Sequence, residues 1–186
     1  IKNRDNADNH YMYDSVRGVT KTIHPDDTAK EFTSANALQS FDSNGFTTGG
    51  DGGTNRNGQG YVAWGWKAGT SFSNDASATS IGTIDSTGTV STEAGFSVIS
   101  YTGTLANATV AHGLGAVPTW IIFKDLDNVN DWGVYHVSIG ATHFLKLNDT
   151  LIATDEATIF NDTTPTSSVF SLGSSNLATT IPTVVG

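Results

Sequence analysis

The sequence contains no cysteine, which excludes disulfides, thiolate metal ligands and cysteine nucleophiles. It also lacks a long apolar run. The longest, residues 120–123, is far shorter than the roughly 20 residues that a membrane-spanning helix needs. No apolar leader opens the chain, so the sequence gives no reason to infer secretion through one. We expect a protein that does not insert into a membrane.

Basic residues are scarce. Lys and Arg number 9 against 18 Asp and Glu, which gives a net charge of -9. The only basic residues after Lys67 are Lys124 and Lys146, so the second half of the chain is acidic. Affinity for nucleic acid depends on clustered basic side chains, and this composition argues against a nucleic-acid partner.

Thr, Ser, Gly and Asn make up about two fifths of the chain, and apolar residues occur in short groups between them. An aromatic content of 10% argues against a disordered chain. The sequence therefore predicts an all-β fold, an antiparallel β-sandwich of the jelly-roll or lectin-like kind.

Period-two alternation and short apolar runs predict the strands. They are residues 10–14, 61–66, 96–101, 120–124, 132–137, 143–147, 157–160 and 168–172. Residues 27–38 have mild helical character. The apolar faces of these segments predict core positions at Val62, Trp64, Trp66, Val98, Trp120, Ile122, Phe144, Phe160 and Phe170.

An internal repeat is visible when residues 2–28 are placed on residues 124–150 without a gap. The identical pairs include Lys2 with Lys124, Tyr13 with Tyr135, and Gly18 with Gly140. After two inserted residues, residues 46–49 match residues 170–173. A biased composition could produce such matches by coincidence, but they keep their order along the chain.

The period of about 122 residues predicts one and a half tandem repeats. Residues 1–70 would be the C-terminal part of a first sandwich, 71–94 a Ser/Thr-rich connection, and 95–186 a second sandwich. A chain that starts inside a repeat suggests a fragment of a longer protein. Its unpaired strand edges would be completed by strands from residues 96–124 or by another copy of the chain, in a trimer.

Two Asx-rich segments, residues 3–9 and 125–131, carry oxygen side chains at positions that could suit calcium. The competing interpretation, which we favour, is a turn in which Asx side chains bond their own backbone. The five histidines show no zinc spacing, and no serine lies in a nucleophile elbow. We therefore expect no metal, no cofactor and no catalytic residue.

Several strings resemble a known family: YDSVRG (13–18), SFDSNGF (40–46), GYVAWGWKAG (60–69), GFSVISYTG (95–103), AHGLGAVPTWIIFK (111–124), DWGVYH (131–136) and SSVFSLG (167–173). They are similar to the repeat domain of tail-fibre and other virion structural proteins of tailed phages, particularly marine ones. The resemblance implies tandem lectin-like β-sandwiches without a catalytic motif. Residues 176–186 depart from it, because they lack the next aromatic strand.

These observations predict a non-enzymatic virion protein, part of a phage tail or capsid fibre that takes part in host attachment. The alternative is a carbohydrate-binding adhesion module outside a virion, and a third hypothesis is a glycan hydrolase domain. Expected partners are other copies of the chain in a homotrimer, neighbouring virion proteins and a host surface glycan. The candidate carbohydrate or receptor contacts are Trp66, Trp132, Tyr135 and His136.

Overall fold

The computed structural model describes residues 1–67, 69–179 and 183–185, and the chain divides into two compact units, Ile1–Trp66 and Lys67–Gly186. Strands dominate both units, and each helix among the described residues is a single turn. The predicted all-β fold is confirmed. None of these helices is long and apolar enough to cross a membrane.

The first unit is built from three antiparallel strand pairs. Its elements are β1 (Lys2–Asn3), β2 (Lys21–Thr22), β3 (Phe32–Thr33), β4 (Leu38–Asp42), β5 (Gly45–Thr48), α1 (Gly52–Asn55) and β6 (Tyr61–Val62). Strand β1 pairs with β6, β2 with β3, and β4 with β5. Ile23, Ala37 and Leu38 are its buried apolar residues.

The second unit contains an eight-stranded sheet in the order β14-β13-β12-β11-β16-β9-β8-β7 and a two-stranded sheet of β10 and β15. Its elements are β7 (Thr70–Asn74), α2 (Ala76–Thr79), β8 (Ser86–Ser91), β9 (Phe96–Tyr101), β10 (Ala108–Ala111), β11 (Trp120–Lys124), β12 (Trp132–His136), β13 (His143–Lys146), β14 (Thr154–Asp155), α3 (Ala157–Phe160), β15 (Val169–Leu172), α4 (Asn176–Thr179) and β16 (Thr183–Val185).

The core of the second unit lies between the large sheet and the layer formed by β10, β15 and α3. Side chains of β9, β11 and β12 meet those of β10, β15 and α3 in one buried cluster. Phe160 of α3 packs edge-on against Phe123 and Tyr135, with ring centroids 5.5 and 5.6 Å apart. Two layers therefore enclose this core, and the jelly-roll or lectin-like form remains a prediction.

Some strand predictions are wrong. Residues 10–14 form no strand, and only Met12 makes an isolated bridge, to Ile23. Residues 27–38 contain no helix, and the strand predicted at 61–66 ends at Val62. Residues 157–160 form α3 because Glu156 caps it, accepting a hydrogen bond from the Thr158 N–H at 3.2 Å.

The Ser/Thr-rich segment 71–94, predicted to be a connection, contains most of β7, all of α2 and all of β8. Strand β7 is the edge strand of the large sheet, and β8 lies between β7 and β9. Thr is favoured in strands, which agrees with its presence in β7 and β8. Residues 180–182 and 186 of the predicted second repeat lie outside the described residues.

The core predictions hold for five of the nine residues: Val98, Ile122, Phe144, Phe160 and Phe170 are buried. They are wrong for Trp64, Trp66 and Trp120, which are 63%, 68% and 46% exposed, and Val62 is only half-buried. Trp64 and Trp66 follow the last paired residue of β6. Alternation identifies the side of a segment that can be buried, but burial also needs a partner layer.

Several hydrogen-bond registers of the two units agree with the alignment that predicts the repeat. Three pairings of the first unit recur in the second at the interval that the sequence alignment gives. The bridge between Met12 and Ile23 corresponds to the pairing of Val134 with Leu145. The pairing of Lys21 with Thr33 corresponds to that of His143 with Asp155. The hydrogen bond from the Ser34 N–H to Thr20 O (2.9 Å) corresponds to the bond from the Glu156 N–H to Thr142 O (3.0 Å).

The correspondence continues after the two-residue insertion. The Gly49 N–H donates to Ala37 O at 2.8 Å, and the Gly173 N–H donates to Ile159 O at 2.7 Å. Strand β5 then corresponds to β15, and α1 to α4. Gly18 and Gly140 also agree, because both have positive φ and donate to the carbonyl oxygen four residues earlier.

We expect Phe160→Ala to lower the free energy of unfolding of the second unit by about 3–5 kcal/mol, because it leaves a cavity against Phe123 and Tyr135. Ile152→Ala is the control. Ile152 is 88% exposed, so this change should cost less than about 0.5 kcal/mol. Denaturant unfolding of both variants measures the difference, and equal losses would contradict the assigned core.

Candidate functional site

Burial removes two of the four predicted contact residues from the surface. Trp132 and Tyr135 lie in β12, and each is only 1% exposed. Tyr135 packs against Phe160 in the core, with ring centroids 5.6 Å apart. The Trp132 N–H donates to Asn148 Oδ1 at 2.8 Å. Neither ring can contact a receptor in this fold.

His136 is exposed at the end of β12, opposite Trp120 of β11. Residues directly opposite each other in an antiparallel pair project from the same face, so these two side chains are neighbours. Val117 and Val137, each 51% exposed, add apolar surface at this end of the hairpin. The sequence analysis had placed Trp120 in the core because the run from 120 to 124 is continuously apolar.

Trp66 is exposed, as a contact residue requires, but it is the last residue of the first unit. It follows Trp64, also exposed, in a segment without regular structure. Trp66 belongs to the first unit, and His136 and the two buried rings belong to the second.

The second unit has a shallow pocket, open to solvent, that no sequence pattern predicts. Its volume is about 370 Å³. Its walls come from the Asx turn after β11, from β13 and β14, and from the segments around α3 and α4. The lining residues are Asn130, Asp131, Phe144, Lys146, Leu151, Thr154, Glu156, Thr158, Ile159, Ser175, Asn176 and Leu177.

Carboxylates, amides, hydroxyls and one ammonium group surround this pocket, with apolar side chains among them. Lys146 Nζ lies 2.7 Å from Asp131 Oδ2, and Asn148 Nδ2 donates to Asp131 Oδ1 at 2.8 Å. Burial acts to raise the pKa of Asp131, but the hydrogen bonds from Lys146 and Asn148 outweigh it and lower that pKa. The hydrogen bond to Asp131 raises the pKa of Lys146. Both groups are therefore charged at neutral pH.

Glu156, which is half-buried at the pocket wall, also keeps its charge at neutral pH. Hydrogen bonds from the side chain and backbone of Thr158 lower the pKa of Glu156. The Thr158 hydroxyl lies 2.7 Å from Glu156 Oε1. Two carboxylates are therefore available as hydrogen-bond acceptors in the pocket, at Asp131 and Glu156.

At the corresponding positions, the first unit has aromatic rings. His24, where the second unit has Lys146, packs edge-on against Tyr11 at 4.6 Å and lies 5.2 Å from the ring of Phe32, measured between centroids. In the aligned repeat, Tyr11 corresponds to Gly133 and Phe32 to Thr154. Positions 146 and 154 line the pocket, whereas the Phe123 ring fills the space beside Gly133. The replacement of Phe32 by a threonine is a signal that the repeat alignment could have supplied.

The Asx-rich segments are turns in which their own backbone and side chains use the oxygen atoms. In each, the first Asx oxygen accepts two backbone N–H groups: Asn3 Oδ1 from Asp5 and Asn6 at 3.0 and 3.3 Å, and Asp125 Oδ1 from Asp127 and Asn128 at 2.9 and 3.1 Å. Within the described parts of the chain, no group of three or more acidic or histidine side chains is placed to hold a metal ion.

The two turns place an amide and a carboxylate at the same two positions, but in opposite order. Asn3 Nδ2 donates to Asp8 Oδ2 at 2.8 Å, whereas Asn130 Nδ2 donates to Asp125 Oδ2 at 2.7 Å. The same contact is kept with donor and acceptor reversed. The lysine before each turn also makes equivalent bonds, from Lys2 Nζ to Asp8 O and from Lys124 Nζ to Asn130 O. Both contacts hold the turn closed.

His112 links β10 to the loop before β15 and is 2% exposed. Its Nδ1 accepts the Leu114 N–H at 3.2 Å, so Nε2 carries the proton and donates to Thr166 O at 3.1 Å. This is the neutral imidazole. Burial lowers the pKa of His112, although the bond to Thr166 opposes the shift.

The comparison with protein families identifies a match over almost the whole chain. The model of DUF7483, described as a domain of unknown function, matches residues 1–184. The chain therefore belongs to this family. No curated protein and no solved structure matches it.

We expect Asp125→Asn to destabilise the second unit by about 1–3 kcal/mol, because it places an amide group against the Asn130 amide. Adding Asn130→Asp should restore much of this loss, since the double substitution reproduces the Asn3–Asp8 pairing of the first unit. A double-mutant cycle of unfolding free energies measures the coupling. Additive losses would contradict the equivalence of the turns.

We expect the free energy of unfolding to fall as the pH decreases below about 6.5, the pKa of an unfolded histidine. Below this pH His112 is protonated in the unfolded chain, whereas in the folded chain it is protonated only at a lower pH, because its pKa is lowered. The loss of stability therefore grows until the pH reaches the pKa of folded His112. His112→Gln should remove this component between about pH 7.5 and 5, whereas His136→Gln should keep it. An unchanged pH profile in His112→Gln would refute the assignment.

Proposed function

We propose that this DUF7483 chain is a non-enzymatic structural module of a phage tail or capsid fibre that takes part in host attachment. It would act in the virion, outside the host cell, as a homo-oligomer and most simply as a homotrimer. Neighbouring virion proteins and a host surface glycan are its proposed partners.

The observation that carries this proposal is the repeat. The two units keep the same hydrogen-bond registers while their surface residues differ, as at Phe32 and Thr154. A fibre needs a repeated scaffold for length, and an adhesin needs surfaces that can change without changing that scaffold. The sequence strings that resemble virion repeat domains support the same proposal.

Attachment by such a module would depend on copy number. Several weak contacts presented on one fibre bind at high effective concentration, so each site can have low affinity. The exposed Trp120 and His136 pair and the polar pocket are small surfaces of the kind that would be repeated.

The first test is the location of the protein. Peptides of this chain should be found by mass spectrometry in phage particles purified by density gradient, and antibodies against it should label tails or capsid fibres in electron micrographs. Absence of the protein from purified particles that are otherwise complete would overturn the virion assignment.

The pocket supports a second candidate function, a carbohydrate-binding module outside a virion. Its carboxylates and amides can bond the hydroxyl groups of a neutral sugar, and Phe144 and Leu151 supply apolar surface. Binding of this kind would not require the chain to be part of a particle.

We expect Thr154→Phe to weaken glycan binding by about tenfold or more, equivalent to at least about 1.4 kcal/mol. The reason is that this change introduces the ring that Phe32 supplies in the first unit. Thr163→Phe, on an exposed residue outside the pocket lining, is the matched control and should leave binding unchanged. A glycan array followed by titration measures both. Equal affinities would exclude the pocket as the glycan site.

A further inference from the structure

Strand β15 of the second unit has a partner along each edge. On one edge the Gly173 N–H donates to Ile159 O, next to α3. On the other edge β10 runs antiparallel, with Val110 opposite Phe170 and Ala108 opposite Leu172. Phe170 is consequently 1% exposed.

Strand β5 of the first unit corresponds to β15, and one of its edges is occupied in the same way. The Gly49 N–H donates to Ala37 O, and β4 continues along that edge. Because alternate residues of a strand direct their backbone groups to opposite edges, Phe46 and Thr48 direct theirs to the other edge. Among the described strands, none pairs with β5 there.

The side chains of this hairpin reflect the unpaired edge. Phe46, at the position of buried Phe170, is 45% exposed. Phe41, directly opposite on β4, is 46% exposed. Two adjacent exposed phenylalanine rings beside an open strand edge are a typical surface for strand addition.

Strand β6 also has an open edge. It follows α1 as β16 follows α4, but β6 pairs with β1 alone among the described strands, whereas β16 lies between β11 and β9. The strands that cover these two edges in the second unit, β9 and β10, are consecutive. One segment could therefore occupy both open edges of the first unit.

This chain's own β9 and β10 are already in use within the second unit. Strand β9 pairs with β8 and β16, and β10 pairs with β15. The expectation that residues 96–124 of the same chain complete the first unit is therefore wrong. The segment must come from another repeat.

We propose that the first unit binds the β9–β10 segment of a further copy of this repeat. The β10 strand of that copy would lie antiparallel to β5, with its Val110 opposite Phe46 and its Ala108 opposite Thr48, as in the second unit. The rings of Phe46 and Phe41 would then be covered. This inference concerns assembly and does not depend on the proposed role in a virion.

In the test, a second copy of residues 67–122 is fused in front of Ile1. In the second repeat, this segment directly precedes the residue that aligns with Ile1. Since the chain has no cysteine, Phe46→Cys provides a single thiol whose reaction with a thiol reagent reports exposure. We expect this reaction to slow by about tenfold or more in the extended chain. Hydrogen exchange of residues 45–48 and 61–62 should slow as well.

Two controls separate this result from general effects. Ile152→Cys, exposed in the second unit, should react equally fast with and without the extension. The extension carrying Val110→Asp in the added copy should leave the Phe46→Cys thiol reactive, because an aspartate would be placed against β5. Hydrogen exchange of β12 and β13, which the extension does not duplicate, checks that each variant remains folded.

The proposal is overturned if Phe46→Cys reacts at the same rate in the folded, extended chain. It is also overturned if the unextended chain already protects this thiol by forming a dimer through two β5 edges, which size-exclusion chromatography would detect. Protection that requires the intact extension supports it.

Discussion

Both units contain an equivalent Asx turn, which follows β1 in the first unit and β11 in the second, and the pairing of the next strands depends on it. Asn3 in one unit and Asp125 in the other hold two successive backbone N–H groups, and a lysine bonds the far side of the turn. This closes the turn at a fixed length and sets the pairing of the next strands. A slip of one residue would move every following side chain to the opposite face, so the core could not form.

The two units build different interiors on the same backbone connections. The second unit places Phe144, Phe160 and Leu172 where the first has Thr22, Leu38 and Thr48. The larger side chains form a continuous core with β9 and β10. With smaller ones, the first unit encloses only a few apolar residues and leaves the rings of its β4–β5 hairpin exposed. Strands β5 and β6 of the first unit each have an open edge among the described strands, whereas β15 and β16 of the second unit have a partner along both edges.

The units also differ at two positions of the pocket wall. His24 and Phe32 of the first unit correspond to Lys146 and Thr154, which line the pocket, whereas Tyr11 corresponds to Gly133, where the Phe123 ring fills the space. Lys146 and Asp131 keep each other charged at neutral pH, which maintains a polar wall. A duplicated scaffold can therefore carry a filled cluster in one copy and an open binding surface in the next.

The sequence alone determined the repeat and its register, because identities such as Lys2 with Lys124 lie at turns whose hydrogen bonds are local. It also determined strands such as Phe96–Tyr101 and Trp120–Lys124, whose patterns are strong. Only the tertiary structure decided which faces are covered. Trp64 and Trp66 alternate like core residues and Trp120 begins an apolar run, but all three are exposed. Tyr135 and Trp132 are buried, although they were candidate contacts. Burial depends on which strand or helix packs against a face, and that partner is distant in sequence: α3 covers the rings of Phe123 in β11 and Tyr135 in β12.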